Sequence, residues 1–160
     1  MPARSAGILL FRMSGGRPEF LLVHPGGPFF RRKDKEVWSI PKGEYGEGED
    51  PRACAVREFE EELGKAPPST RLLDLGEVRQ AGGKIVTAWA VEGDLDTASI
   101  QSNVFTMEWP PRSGQLQEFP EVDRAEWVSL ETGREKIVPA QRLLLDRLVH
   151  ALGDRGDAAT

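Results

Sequence analysis

Residues 50–64 constrain this chain more than any other segment, because they specify a helix with both ends marked and one face committed to a core. Asp50 followed by Pro51 is a helix start: Asp accepts from free amides of the first turn, and Pro is tolerated where its missing N–H has no partner. Gly64 is the stop, with Pro67 and Pro68 soon after. Between them Val56, Phe59 and Leu63 recur at three-and-four spacing and form one apolar stripe. At about 100° per residue, Glu58, Glu61 and Glu62 fall within an arc of roughly 100° beside that stripe, while Glu60 points elsewhere. A helix seated by the stripe therefore carries three carboxylates along the margin of the core.

Carboxylates spaced i, i+3 and i+4 repel one another by roughly 0.2–0.5 kcal/mol per exposed pair, and by more where they are partly buried, unless a cation sits among them. Hard oxygen donors in this number suit Mg²⁺ or Mn²⁺. The competing reading is a solvated acidic helix face.

The residues around the helix decide between these. Gly43, five residues, Glu49, seven residues, Arg57-Glu58, apolar Phe59, one residue, Glu61-Glu62, one residue and Gly64 form a pattern that resembles the signature of the Nudix hydrolases. One position departs: Lys65 stands where the family usually has an aliphatic residue that helps dock the helix end. The resemblance implies an α/β fold, a Nudix-type α/β/α sandwich around a mixed β-sheet, in a single domain over residues 1–152. It implies metal-dependent hydrolysis of a diphosphate linkage in a nucleoside diphosphate-linked small molecule. Glu58, Glu61 and Glu62 would hold the cations, Glu58 or Glu61 would act on the attacking water, and the Lys42 carbonyl would be a further ligand. Gly43 and Gly64 would shape the signature, and Glu49 and Arg57 are expected to pair and hold loop to helix. Family members often recruit another acid from a loop before a late strand, which points to Glu121, with Glu118 as the alternative.

Trp38-Ser39-Ile40-Pro41-Lys42-Gly43 is similar to the approach to the signature in diadenosine polyphosphate hydrolases, so dinucleoside polyphosphates or nucleoside triphosphates are the expected substrates. A triphosphorylated RNA 5′ end or an inositol pyrophosphate is the alternative with the same fold. A non-catalytic nucleotide-sensing module is the alternative of another class; such a module is free to lose a signature acid, and none is missing here.

Elsewhere, apolar runs at Ala6 to Arg12 and Phe20 to His24 flank Ser14-Gly15-Gly16-Arg17-Pro18 and read as a hairpin. Leu72 to Gln80 and Lys84 to Val91 flank Ala81-Gly82-Gly83 in the same way, with Ile85 to Val91 as a buried strand. Phe105 to Trp109 and Ala125 to Leu130 complete the strands. A last helix starts at Pro139, with Leu143, Leu144, Leu148 and Leu152 on its apolar side, and residues 153–160 are expected to fray.

Charge and composition narrow the partners. A net charge of −5 weighs against general nucleic-acid binding. The exceptions are local: Arg31, Arg32, Lys33, Lys35, Lys42 and Arg112 are candidates for gathering around a polyphosphate. Lys42, directly before Gly43, is assigned to phosphate contact, whereas a solvated loop is the competing reading for Arg31 and Arg32. Phe29 and Phe30 are candidates for a base or sugar, against the alternative of aromatics anchoring a loop. The four tryptophans and His24 read as structural. No apolar run reaches the roughly 18 residues of a membrane span, no signal peptide is evident, and a single cysteine, Cys54, leaves no intrachain disulfide. A cytoplasmic, membrane-free protein is expected.

Overall fold

The computed structural model describes residues 2–159, with side chains described as far as Gly153. Its centre is β1 (Arg4–Ser14), which uses both edges and both faces. One edge runs parallel to β5 (Ile85–Glu92), in register from Arg4↔Ile85 to Phe11↔Glu92. The other edge is shared: the C-terminal half of β1 pairs antiparallel with β2 (Arg17–Pro25), and Ser5–Gly7 pairs with the short β3 (Lys42–Glu44). With β4 (Leu73–Arg79) outside β5 and β8 (Val122–Val128) outside β2, the order is β4-β5-β1-β2-β8. One parallel pair among antiparallel ones makes the sheet mixed, as expected.

The β1–β2 turn holds Gly15 at φ 59° and Gly16 at φ 79°, the left-handed pair that a two-residue hairpin turn needs to match strand twist. Burial alternates between two cores, which is why these strands read as continuous apolar runs. Ala6, Ile8, Leu10, Leu21 and Val23 face α1 (Pro51–Leu63) and meet Cys54, Ala55, Phe59 and Leu63. Leu9, Phe11, Phe20 and Leu22 face the opposite layer of α2 (Leu130–Lys136) and α3 (Arg142–Ala159), where Leu144, Leu145 and Leu148 close the core. The result is the α/β/α sandwich.

Helix α1 starts and stops where its sequence dictates. The Asp50 carboxylate accepts from the Arg52 amide at 3.3 Å, and Gly64 caps the end at φ 79° with its N–H on the Glu60 carbonyl. Lys65 lies exposed and reaches the Ser99 hydroxyl. Docking of the helix end passes instead to backbone bonds, from the amide of Gln101 to the Leu63 carbonyl at 3.0 Å and from that of Asn103 to the Glu61 carbonyl at 2.8 Å.

Several elements differ from the sequence reading. The Phe105–Trp109 run is β6 (Val104–Glu108), which pairs only with β7 (Leu116–Pro120) in a hairpin off the main sheet. That second strand hides in a segment read as loop, because Gln117 and Glu118 keep it polar and exposed. Helix α2 was also invisible: seven mostly polar residues around a buried Gly133, whose missing side chain admits Leu145. Leu143 is 52% exposed, and Leu145 takes the core position assigned to it, because Leu144 and Leu145 stand four and three residues before Leu148 on one helix face and Leu143, five before, turns away. The backbone of α3 is helical as far as Ala159.

Candidate active site

Seating Phe59 and Leu63 in the core turns Glu58, Glu61 and Glu62 towards β3 and the start of β5. They line a cavity of about 340 Å³ together with Lys42, Gly43 and Glu44, Lys84, Asn103 and Glu121. A smaller hollow of about 190 Å³ shares Lys42, Glu62 and Glu121 and extends between Val23, Pro25, Val37 and Ile40. A larger hollow of about 520 Å³, bounded by Phe11, Leu72 and Leu73, involves none of these carboxylates.

Each acid is held differently. Glu58 sits against Gly43, where an added Cβ would fall on its carboxyl group, so this glycine is the space the carboxylate occupies. Glu61 lies at the more open rim, its side chain 43% exposed. Glu62 is deepest and accepts from the Lys42 backbone N–H. Arg57 pairs with Glu49, a contact between the signature loop and α1, and its guanidinium also stands 3.6 Å from Glu58 and 3.8 Å from Glu61. Cys54 is buried, with its thiol 3.5 Å from the Gly43 carbonyl, and seats the helix on β3.

Glu121 comes from the β7–β8 junction, yet its backbone is clamped. Its N–H donates to the Asn103 carbonyl at 2.9 Å, and its own carbonyl accepts from Gly26 at 2.9 Å. Asn103 in turn bonds the end of α1, so one residue links the helix carboxylates to Glu121. Glu118 is on exposed β7 and does not line the cavity, whereas Glu121 does.

The electrostatics show a site short of positive charge. Burial, then the neighbouring Glu58 charge, pushes the Glu62 carboxyl up to about 8, only partly offset by Lys42. Burial and Glu61 also raise Glu58. Lys42 is lowered, first by burial and then by the like charge of Lys84. Among the described residues no three acidic, histidine or cysteine side chains are already drawn together as a metal cage. The donor set nevertheless fits a divalent cation: beside Glu44, which pairs with Lys84, the cavity holds the four carboxylates of Glu58, Glu61, Glu62 and Glu121, two of them made hard to ionise for want of a compensating charge, and one cradled where only glycine leaves room.

Phe29, Phe30, Arg31 and Arg32 do not line this cavity or its extension. They lie exposed on the loop after β2, whose ends, Pro25 and Val37, border the extension. Phe29 packs edge-on against Trp109, 5.5 Å between ring centres, so it anchors this loop to the β6–β7 hairpin. His24 is buried, between Asp123 at 2.8 Å and the Lys33 carbonyl at 2.7 Å. Trp38 is fully buried, whereas Trp89 and Trp127 pack at the core edge. Lys84 and Asn103 were not foreseen: neither belongs to the signature, and only the β5 register and the docking of α1 bring them to the acids.

Residues 1–148 match the family described as NUDIX domain. The chain belongs to the Nudix family. An RNA pyrophosphohydrolase of Rhodospirillum rubrum is 30% identical over 160 residues, spanning 94% of this chain and 92% of that protein. An RNA pyrophosphohydrolase of Agrobacterium fabrum is 27% identical, across 71% and 70%. Among solved structures, the Ap4A hydrolase of C. elegans superposes with a TM-score of 0.65 at 23% identity, covering 95% of this chain and 98% of that one. The NUDIX domain of Shewanella oneidensis NrtR, complexed with ADP ribose, gives 0.64 at 16% identity, covering 95% and 89%. These structural likenesses carry the fold. This Nudix protein is a pyrophosphohydrolase acting on phosphoanhydride bonds. No helix among its described residues is long and apolar enough to cross a membrane.

Proposed function

We propose that this Nudix protein hydrolyses, with Mg²⁺ or Mn²⁺, a phosphoanhydride bond in a nucleoside diphosphate-linked small molecule, a dinucleoside polyphosphate or nucleoside triphosphate. The observation that carries this is the convergence of Glu58, Glu61 and Glu62 from α1, Glu121 from a distant junction and Lys42 from β3 on one cavity. The four carboxylates, with the Lys42 carbonyl, would hold divalent cations, which when bound neutralise phosphate charge and make a bound water a better nucleophile. Glu58 and Glu61 line the cavity and are the groups to take the proton of the attacking water. The Lys42 ammonium sets a fixed positive charge against the phosphate oxygens. Glu49 keeps Arg57 engaged beside the carboxylates rather than across them.

A second reading is favoured by the whole-length likeness to RNA pyrophosphohydrolases and by the exposed run Arg31-Arg32-Lys33 beside Phe29 and Phe30: a 5′-triphosphorylated RNA end. The overall net charge of −5 argues for the small molecule.

The test is nucleotide or phosphate release from nucleoside triphosphates, dinucleoside polyphosphates, nucleotide sugars, dinucleotide cofactors and triphosphorylated RNA, with either metal and a Glu61→Gln control. Selective metal-dependent turnover of a nucleotide, lost in the control, supports the first reading. Preference for RNA with a steep fall at high salt supports the second. Full activity of the control with added Mg²⁺ would remove Glu61 from the metal set, and metal-dependent nucleotide binding with no turnover would point to a sensing module.

A further inference from the structure

The strand side of the cavity is held from behind, by a residue on the opposite layer of the fold. Gln141 closes the short turn Pro139–Gln141 ahead of α3 and is fully buried, polar as it is. Its Oε1 accepts from the buried amide of Ile40 at 3.0 Å, and its Nε2 donates to the Ser39 hydroxyl at 3.0 Å and to the Gln80 Oε1 at 2.8 Å. A backbone N–H only donates, so the bond from Ile40 fixes which end of the Gln141 amide faces it. Ile40 stands two residues before Lys42, and Pro41 between them accepts through its carbonyl from the Ile8 amide at 3.1 Å. Gln80 opens the turn into β5: its amide donates to the Lys84 carbonyl at 2.7 Å, and its carbonyl accepts from Gly83 at 3.0 Å. Lys42 and Lys84 both line the carboxylate cavity. One buried side chain thus ties together the two strand-side segments of the cavity wall.

We infer that Gln141 is a positioning residue for the active site: its amide fixes the approach to β3 against the β4–β5 turn and thereby sets the place of the Lys42 peptide. The inference rests on the hydrolase reading above, in which the Lys42 carbonyl holds a cation, and deepens it. The Lys42 N–H goes to Glu62, the deepest acid, so a shift of this peptide moves a carbonyl donor and a carboxylate donor of the cation site together. Strand β3 pairs with β1 over only three residues, and Pro41 has no N–H to offer the sheet, so the bond from Ile40 to Gln141 is the next anchor upstream of the Pro41 carbonyl. A glutamine suits that place because the link must accept from Ile40 at one end and donate towards Ser39 and Gln80 at the other, which one amide does without burying a charge. Left without its acceptor, the buried Ile40 N–H would be driven to move towards water.

The experiment compares the wild-type chain with Gln141→Met, Gln141→Glu and Leu148→Val in three measurements: Mn²⁺ affinity without substrate by electron paramagnetic resonance, melting temperature, and hydrogen exchange of the Ile40 amide in metal-free protein. Gln141→Met keeps the length of the side chain and loses its bonds, and it should weaken Mn²⁺ roughly tenfold while speeding exchange at Ile40. Gln141→Glu keeps an acceptor for Ile40, and Gln80 can turn its own amide to donate to the new carboxylate, so most of the affinity should return. Leu148→Val, an apolar change about two turns along the same helix, should melt lower with Mn²⁺ affinity unchanged. If Gln141→Met melts lower yet binds Mn²⁺ like the wild type, the inference is overturned and the hydrolase reading stands. Equal weakening by Leu148→Val overturns it as well, since general loosening would then suffice. Should Gln141→Met fail to fold, Gln80→Met, which spares the Ile40 bond and removes only the far anchor, must weaken Mn²⁺ by roughly two- to threefold, and no weakening overturns the inference. A wild type that binds no Mn²⁺ overturns the metal-dependent reading and the inference together.

Discussion

The amide of Gly26 donates to the carbonyl of Glu121, and this single backbone bond joins the start of the loop after β2 to the acid furthest in sequence from the signature. The approach is so close that a Cβ on Gly26 would collide with the Pro120 carbonyl, one residue before Glu121. Gly26→Ala must therefore push the Glu121 segment out of place. We expect a loss of activity of roughly 10- to 100-fold, comparable to the loss of a residue that orients a metal ligand. Steady-state kinetics with a metal titration checks this: the variant should need more Mg²⁺ for half-maximal rate. An unchanged requirement would detach Glu121 from the site.

Gly43 poses the opposite steric case. Its missing side chain leaves the space filled by the Glu58 carboxyl, the free end of a side chain that can swing away. Gly43→Ala should consequently cost little stability, under about 1 kcal/mol, while displacing Glu58 and lowering kcat by roughly tenfold or more. Thermal melting and kinetics on one preparation separate the two effects. A large fall in melting temperature with normal specific activity would place the glycine in folding rather than catalysis.

A third expectation concerns pH. Glu62 holds its proton up to about 8 in the metal-free fold, well above its ordinary value of 4.5, because burial and Glu58 oppose its charge. Between those values the folded chain binds more protons at this site than the unfolded chain, so the contribution to stability is whole below 4.5 and is lost as pH rises through about 8. The metal-free protein should melt at progressively lower temperature across that window. Glu62→Gln should flatten the decline, and Mg²⁺ should flatten it in the wild type by replacing the proton. A slope that persists in Glu62→Gln would assign it to another group.

How much of this was legible in the sequence follows from the range of the interactions. The ends of α1, its buried stripe and the Glu49–Arg57 pair are local, set by residues within a few turns of one another, and the sequence shows them. The two hairpins that build the main sheet are local in the same sense. Glu121 could be nominated only through family resemblance, since its place depends on Asn103 and Gly26, 18 and 95 residues away in the chain. Lys84 gives no local signal, because it reaches the acids only through the β1–β5 register. Strand β7 and helix α2 escaped because neither shows an apolar period: one is an exposed hairpin strand, the other a short helix packed through a glycine. Phe29, Arg31 and Arg32 were nominated from composition, which shows that a loop is basic and aromatic but not which way it lies.

The Glu49–Arg57 pair yields the last prediction. Arg57 stands within 3.6 Å of Glu58 and 3.8 Å of Glu61, the carboxylates that would hold cations, and Glu49 on the signature loop engages the same guanidinium. Removing Glu49's charge frees Arg57 to turn fully onto Glu58 and Glu61, where its fixed positive charge competes with a divalent ion. Because the pair lies at the solvent-exposed surface, its direct contribution to stability is small. Glu49→Gln should therefore melt near the wild type yet need several-fold more Mg²⁺ for half-maximal rate, with the deficit recovered at saturating metal. In the double variant Glu49→Gln/Arg57→Ala the competing charge is gone, so the metal requirement should fall back towards the wild type. If the double variant needs as much metal as Glu49→Gln alone, Arg57 does not compete, and the pair acts only by holding the signature loop to α1.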